Sequence, residues 1–283
     1  MEFTAGDERP RGPGRSGQKT VLMQAGTCAS GYVVIAMYRE YRAEATLVPI
    51  VECGWTRSSP ATGWLRVMPD GCVDVFVTTG GTVMVSGPAT TFYELRLGAE
   101  GVLAGLRLRP GAAAAVIGQP LSEFRDHLVP IDSVIGVAGH GLTDKLLCTT
   151  ASRQRVALLE GVLAGFFADA EPVVDQPVAK AVEMLRSRPQ WPVSGLALAV
   201  GLSERQLRRR FDAAVGYGPK RLGRIFRFQR LLDLIHAGDD QASVGRTGDR
   251  GRLRRPVPHD QRMSVPGGGV SHRTSRRCRG IAG

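Results

Sequence analysis

Between Val193 and Phe211 the chain reads V-S-G-L-A-L-A-V-G-L-S-E-R-Q-L-R-R-R-F, and few local structures satisfy that order of residues. Ser194 is read as an N-cap, Leu196, Ala197, Ala199 and Val200 as a short apolar helix, and Gly201 as the left-handed residue that ends it. After a tight turn, Ser203 and Gln206 stand at capping-box spacing, and Leu207 and Phe211 lie one turn apart on the face that a second helix would bury. Glu204, Arg205, Arg208 and Arg209 are left on its outer face. Two short helices joined at a glycine, the second one basic, suit a helix-turn-helix that enters a DNA major groove, because Arg can meet a guanine edge with two hydrogen bonds. The same residues also suit a solvated basic helix on an ordinary helical bundle.

The run from Val193 to Ile235 resembles the first half of an AraC-type DNA-binding domain. The family pattern G-x-S-x-x-x-L-x-R-x-F, followed by G-x-x-P and a long helix, is met by Gly201, Ser203, Leu207, Arg209, Phe211, Gly216 and Pro219, and by a helix expected over Lys220 to Ile235. Arg230 stands where the family has a small residue. The resemblance implies a transcription regulator whose partner is double-stranded promoter DNA; no cofactor is expected, and the chain is read as cytoplasmic because it carries neither a membrane-length apolar run nor a convincing signal peptide. Carried over by position, Arg205, Arg208 and Arg209 would contact base edges, with Ser203, Glu204 and Gln206 at the start of the same helix and Arg221 and Arg224 on phosphates.

A chain of 283 residues can form two domains, each with its own core. No apolar run approaches the ~20 residues of a membrane helix, so no membrane partner is expected. Cys28, Cys53, Cys72, Cys148 and Cys278 are scattered, without C-x-x-C pairs or histidines at ligand spacing, so neither a metal nor a disulfide framework is expected. The net charge of +11 says little by itself, because residues 241–283 hold ten arginines against Asp249 and Asp260. The arginines at 205 to 210 are the more specific signal.

Residues 1–36, rich in Gly, Pro and charge, read as a disordered leader, or as sequence ahead of a translation start at Met37. From 37 to 170 the chain reads as a β-rich, barrel-like sensor or dimerisation domain: short β-branched and aromatic runs at residues 51–57, 64–77, 82–88, 92–97 and 102–109 alternate with Gly and Pro turns. Ala112 to Ile117 should be helical, and Ser122 should cap another short helix. This half also resembles an N-terminal domain often joined to AraC-type domains, through Tyr38 to Tyr41, Val51 to Trp55, Met68 to Asp74, Ser86 to Pro88 and Leu108 to Ala113. That resemblance implies architecture without a ligand.

A small-molecule effector is expected there. Arg107 and Arg109, with the helix start at Gly111, could offer positive potential to an anion, and Asp70 and Asp74 are further candidates. The arginines could equally form the wet face of an edge strand. Cys72, Asp74 and His127 could be sketched as a nucleophile, acid and base, but no spacing orients them, so the chain is read as a non-enzyme. Residues 151–168 suggest an amphipathic helix with Val156, Leu159, Val162, Leu163 and Phe166 on one side, packed in the monomer core or at a homodimer surface. Residues 169–176 read as a linker, and a helix from Pro177 that ends before Pro189 opens the helical domain, 171–242. The fold class is therefore α+β, a β-rich domain followed by an all-α one.

The second helix-turn-helix of the AraC family is missing from residues 243–283, which lack helical periodicity and read as a disordered basic tail. Back-translated from Val244 and advanced by one base, the degenerate code permits L-A-E-L-A-T-A-A-G-F-A-D-Q-S-H-M-T-S-E-C, which resembles that missing unit. A frameshift near residues 238–244 accounts for the tail; the alternative is an authentic basic tail that binds phosphates without sequence choice. The competing reading of the whole chain is a small-molecule-binding protein with a vestigial helical half.

Overall fold

The computed structural model describes residues 20–24, 35–58, 63–78, 81–97, 102–135, 142, 145–146, 149, 151–170, 173–242 and 262–263. Ten strands and seven helices are assigned among them. The strands are β1 (Thr20–Gln24), β2 (Ile35–Tyr41), β3 (Val51–Ser58), β4 (Gly63–Val67), β5 (Val73–Val77), β6 (Val83–Ser86), β7 (Tyr93–Leu97), β8 (Val102–Leu108), β9 (Leu128–Pro130) and β10 (Arg262–Met263). The helices are α1 (Ala113–Ile117), α2 (Asp132–Ile135), α3 (Ser152–Ala170), α4 (Gln176–Ser187), α5 (Val193–Ala199), α6 (Glu204–Val215) and α7 (Pro219–Ala242).

Seven strands form one antiparallel sheet in the order β1-β2-β3-β8-β5-β6-β9, and β10-β7-β4 form a smaller one. Alternation along the strands sorts residues between two faces. On one face Val51, Val73, Val77, Ala104, Leu106 and Leu108 pack with α1 and with Val156, Leu159 and Leu163 of α3. Gly54 lets α3 lie this close: a Cβ there would stand 2.5 Å from Val156 Cγ1. On the other face Tyr38, Trp55, Phe76 and Leu103 meet Leu65, Tyr93 and Leu95 of the small sheet. The barrel-like expectation thus resolves into two sheets packed face to face, with a helical layer behind the larger one.

The helices from α4 onward surround a separate core of Val178, Ala181, Val182, Leu185, Leu196, Leu207, Phe211 and Leu222. Asp175 caps α4, accepting from Val178 N at 3.1 Å, and Pro177 occupies its first turn. Expected and observed α4 coincide to within a residue or two, because both of its ends are marked by local chemistry.

Several expectations are corrected. Strand β1 and the start of β2 fall inside residues 1–36, read above as a leader; the rest of that leader lies outside the described residues. Residues 262–263 of the tail pair in parallel with Glu94 and Leu95, and the remainder of the tail lies outside the described residues as well. Ser194 does not cap α5, which starts one residue earlier behind Pro192 with no side-chain cap. Ser122 caps nothing: Leu121–Phe124 is a 3₁₀ turn entered from Pro120. Val162 is 40% exposed, so it leaves the buried stripe of α3, and the side chain of Phe166 lies outside the described residues.

Candidate functional site

Two places gather chemistry: the outer face of α6 and a cavity between the sheets. In α6, Ser203 Oγ accepts from Gln206 N at 3.2 Å while Gln206 Oε1 accepts from Ser203 N at 2.9 Å, the reciprocal capping box. Leu207 and Phe211 are fully buried beneath it. Gly201 takes a φ of +70° between α5 and α6, as its position after the apolar run predicts.

The exposed arginines of α6 differ from one another. Arg208 donates to Glu204 at 2.8 Å, an i,i+4 pair open to solvent and worth only a few tenths of a kcal/mol. Arg205 and Arg209 are exposed and make no hydrogen bond or ion pair among the described residues. Arg210 turns inward to Asp175 at 3.4 Å, tying α6 to the start of α4, a contact that helical spacing does not reveal. Ser203 and Gln206, placed by resemblance at the DNA, are already engaged with each other. Arg221 and Arg224 are exposed on α7, where they line a groove against Thr90, Thr91 and Phe92 of the β-rich half.

The cavity has a volume of about 240 Å³. Its walls include Tyr38, Trp55, Phe76 and Tyr93, and Gly105 lets two of these rings pack close to β8: a Cβ there would come within 2.8 Å of Trp55 Cζ2 and 2.6 Å of Phe76 Cβ. At its polar end the Arg107 Nε lies 3.3 Å from Asp74 Oδ1 and 3.4 Å from Asp70 Oδ2, and Trp55 Nε1 donates to Asp74 Oδ1 at 3.0 Å. Burial pushes the Asp74 carboxyl up against the lowering influence of Arg107, and pushes the Tyr38 and Tyr93 hydroxyls and the Cys53 thiol up as well. Buried Arg57 stands 5.1 Å from the centre of the Tyr38 ring, and burial lowers its pKa.

Of the effector residues inferred from sequence, Asp74 and Arg107 come together here and Arg109 does not. Arg109 donates to Glu52 at 2.9 Å, and Glu52 also pairs with Arg186 of α4 at 3.3 Å, so Arg109 belongs to a joint between the two halves. Strand β8 is central, between β3 and β5, which removes the edge-strand reading of Arg107, and Arg109 lies just past its end. The start of α1 is not open to an anion, since Gly111 faces Val178, Val182 and Val215 of the helical half. Cys72, Asp74 and His127 form no triad in their hydrogen bonding: burial raises the Cys72 thiol, and His127 Nδ1 meets Arg125 O at 2.6 Å.

Sequence reasoning missed the aromatic wall and the share that α7 has in it. Gln229, Leu232 and Asp233 line the cavity beside residues of both sheets. Gln229 Nε2 donates to Pro69 O at 2.6 Å, and Gly71, at φ +90°, leaves room for Leu222, whose Cδ1 would lie 2.8 Å from a Cβ. Elsewhere Arg125 donates to Gly216 O and, at 2.8 Å, to Asp212. Arg230, the departure from the AraC pattern, donates to the carbonyls of Arg186 and Ser187 at 2.6 and 2.8 Å and so closes the end of α4.

Residues 39–130 match a sequence family described as a domain of unknown function, DUF6597. The matched segment runs from β2 to β9 and contains Asp70, Asp74 and Arg107. No curated protein matches the chain. Among solved structures, the crystal structure of the AraC-like transcriptional activator CuxR is similar over 71% of this chain and 81% of that one, at 11% identity and a TM-score of 0.24, a superposition too loose to argue from. Among the described residues no helix is long and apolar enough to cross a membrane, and no group of histidine, cysteine and carboxylate side chains is placed to hold a metal.

Proposed function

We propose that the chain is a transcription regulator that binds double-stranded DNA through α6. The observation that carries this reading is the pairing of a firmly anchored helix with an open basic face: Leu207 and Phe211 fix α6, its capping box holds the first turn, and Arg205 and Arg209 project without partners among the described residues. The helix backbone fixes where these side chains start, and each planar guanidinium fork can meet a base edge with two hydrogen bonds without first breaking an ion pair. Arg208 joins them by exchanging Glu204 for a base or phosphate. The resemblance to AraC-type domains supports the assignment, and the proposed cellular setting is the cytoplasm.

The missing second unit fits an interrupted reading frame. Leu231, Leu234 and Ile235 are 53, 71 and 50% exposed near the end of α7, apolar surface that a following helical unit would cover. With one reading helix, binding should lean on phosphate charge and fall steeply with salt. The test is selection of duplexes from a randomised pool by the full chain, then titration of the selected duplex from low to physiological salt. Enrichment of a common short sequence, lost in Arg209→Ala, is expected; a pool that stays random, or an affinity indifferent to salt, refutes the reading. Resequencing codons 236–283 checks the frame directly: an unbroken frame as written would make the tail authentic.

A second reading, a small-molecule-binding protein whose helical half no longer regulates, draws its support from the cavity. Ligand binding with no duplex enrichment would favour it.

A further inference from the structure

We propose that the cavity between the sheets binds a small organic cation, an amine carried on a flat apolar body, and that α7 senses its occupancy. The size follows from the volume: about 240 Å³ accommodates on the order of ten non-hydrogen atoms. The flat body follows from the walls. Trp55 lies between Tyr38 and Phe76, with ring centres 6.2 and 5.9 Å away and planes tilted by 34° and 39°, and Tyr93, Leu65 and Leu103 complete the apolar lining.

The charge follows from the balance of the lining groups together with the carboxylates paired to them from behind. Arg107 is already faced by Asp74 at 3.3 Å, Asp70 at 3.4 Å and Glu40 at 3.9 Å, and Arg66 is held by Glu94 at 2.8 Å. Asp233 adds a further carboxylate at the mouth and makes no hydrogen bond or ion pair among the described residues. In the lining itself Asp70, Asp74 and Asp233 balance Arg57, Arg66 and Arg107, and Glu40 and Glu94 behind it, paired with Arg107 and Arg66, add two further carboxylates. An incoming anion would meet the carboxylates of Asp70 and Asp74, whereas an ammonium would be drawn to them and to the faces of the surrounding rings.

Occupancy reaches the helical half through short contacts. Asp70 faces Arg107 and also accepts from Cys72 N at 2.9 Å, so it is part of the turn 69–72. That turn is held to α7 by the Gln229 to Pro69 hydrogen bond of 2.6 Å and by the packing of Leu222 beside Gly71. Leu232 and Asp233, one turn further along α7, line the cavity itself. A cation drawn towards Asp70 and Asp233 therefore contacts both sides of the joint and favours the closed arrangement over any in which α7 has moved away.

The test uses the purified full chain and three probes of one shape: phenethylamine, 2-phenylethanol and phenylacetate. Calorimetry and tryptophan fluorescence, which Trp55 reports from the cavity wall, should both saturate with the amine. The alcohol should bind about tenfold more weakly and phenylacetate more weakly still. Asp233→Asn, at an exposed position that does not threaten folding, should weaken the amine severalfold and leave the alcohol unchanged. At saturation, amide exchange across residues 229–235 should slow. Phenylacetate binding as tightly as the amine, saturation by none of the three, or an Asp233→Asn chain that binds the amine normally would overturn the site. Unchanged exchange across 229–235 would overturn the coupling. None of these readouts involves DNA, so their failure is distinct from failure of the regulator reading.

Discussion

Gly201 and Gly216 both have left-handed backbones, with φ of +70° and +87°, but their surroundings differ. Nothing lies within 4 Å of a Cβ built on Gly201. A Cβ on Gly216 would stand 2.4 Å from Pro88 Cγ and 3.0 Å from Leu121 O, both in the β-rich half. Gly201→Ala should therefore cost only the backbone conformation, about 1 kcal/mol. Gly216→Ala should add an overpacking penalty of about 1 to 3 kcal/mol, because Pro88 is a rigid ring and Leu121 O is main chain, so neither yields cheaply. The difference measures how firmly the halves are docked. Urea unfolding of the two variants beside the parent would report it, and Pro88→Ala in the Gly216→Ala background should recover most of the extra loss. Equal costs for the two glycine variants, to within about 0.5 kcal/mol, would refute the close docking of α6 on the β-rich half.

Further outcomes follow from individual contacts. Ser203→Ala removes one side of the capping box and should destabilise the helical half by about 1 kcal/mol, seen as a lower unfolding midpoint. In duplex binding, Arg209→Ala should lose about 1 to 3 kcal/mol, and Arg208→Ala should lose less because its guanidinium must first leave Glu204; fluorescence anisotropy with a selected duplex would rank them. Burial pushes the Cys53 thiol from its ordinary 9.0 up to about 12. Since the unfolded chain releases this proton first, the stability that Cys53 confers is complete below about pH 9 and falls as pH rises towards 12. Urea midpoints measured from pH 8 to 10.5 should drop less steeply in Cys53→Ala than in the parent.

What the sequence disclosed was local. The capping box at Ser203, the end of α5 at Gly201 and the Pro177 start of α4 are written in residues a few positions apart, and all three reappear in the structure. The even spacing of strand residues placed Asp74 and Arg107 on definite faces, but alternation does not say which face of a sheet becomes enclosed, so effector site and wet surface stayed indistinguishable. Arg109 shows the limit: it lies two residues beyond Arg107 on the same face by spacing, yet at the end of β8 it reaches Glu52 rather than the cavity. Contacts between the halves were illegible for a plainer reason. Gln229 and Pro69 are 160 residues apart, and neither carries a mark of the other.

The two hydrogen bonds from Arg230 to the last turn of α4 have a mechanical consequence. They fasten the middle of the long α7 to the first helix of its own half, at the residue next to Gln229, which lines the cavity. These bonds couple bending of α7 to movement of the end of α4. A push at Leu232 or Asp233 acts on α4 and α7 as a single lever, and because Asp175 at the head of α4 holds Arg210 of α6, the far arm of that lever is the arginine-bearing helix itself.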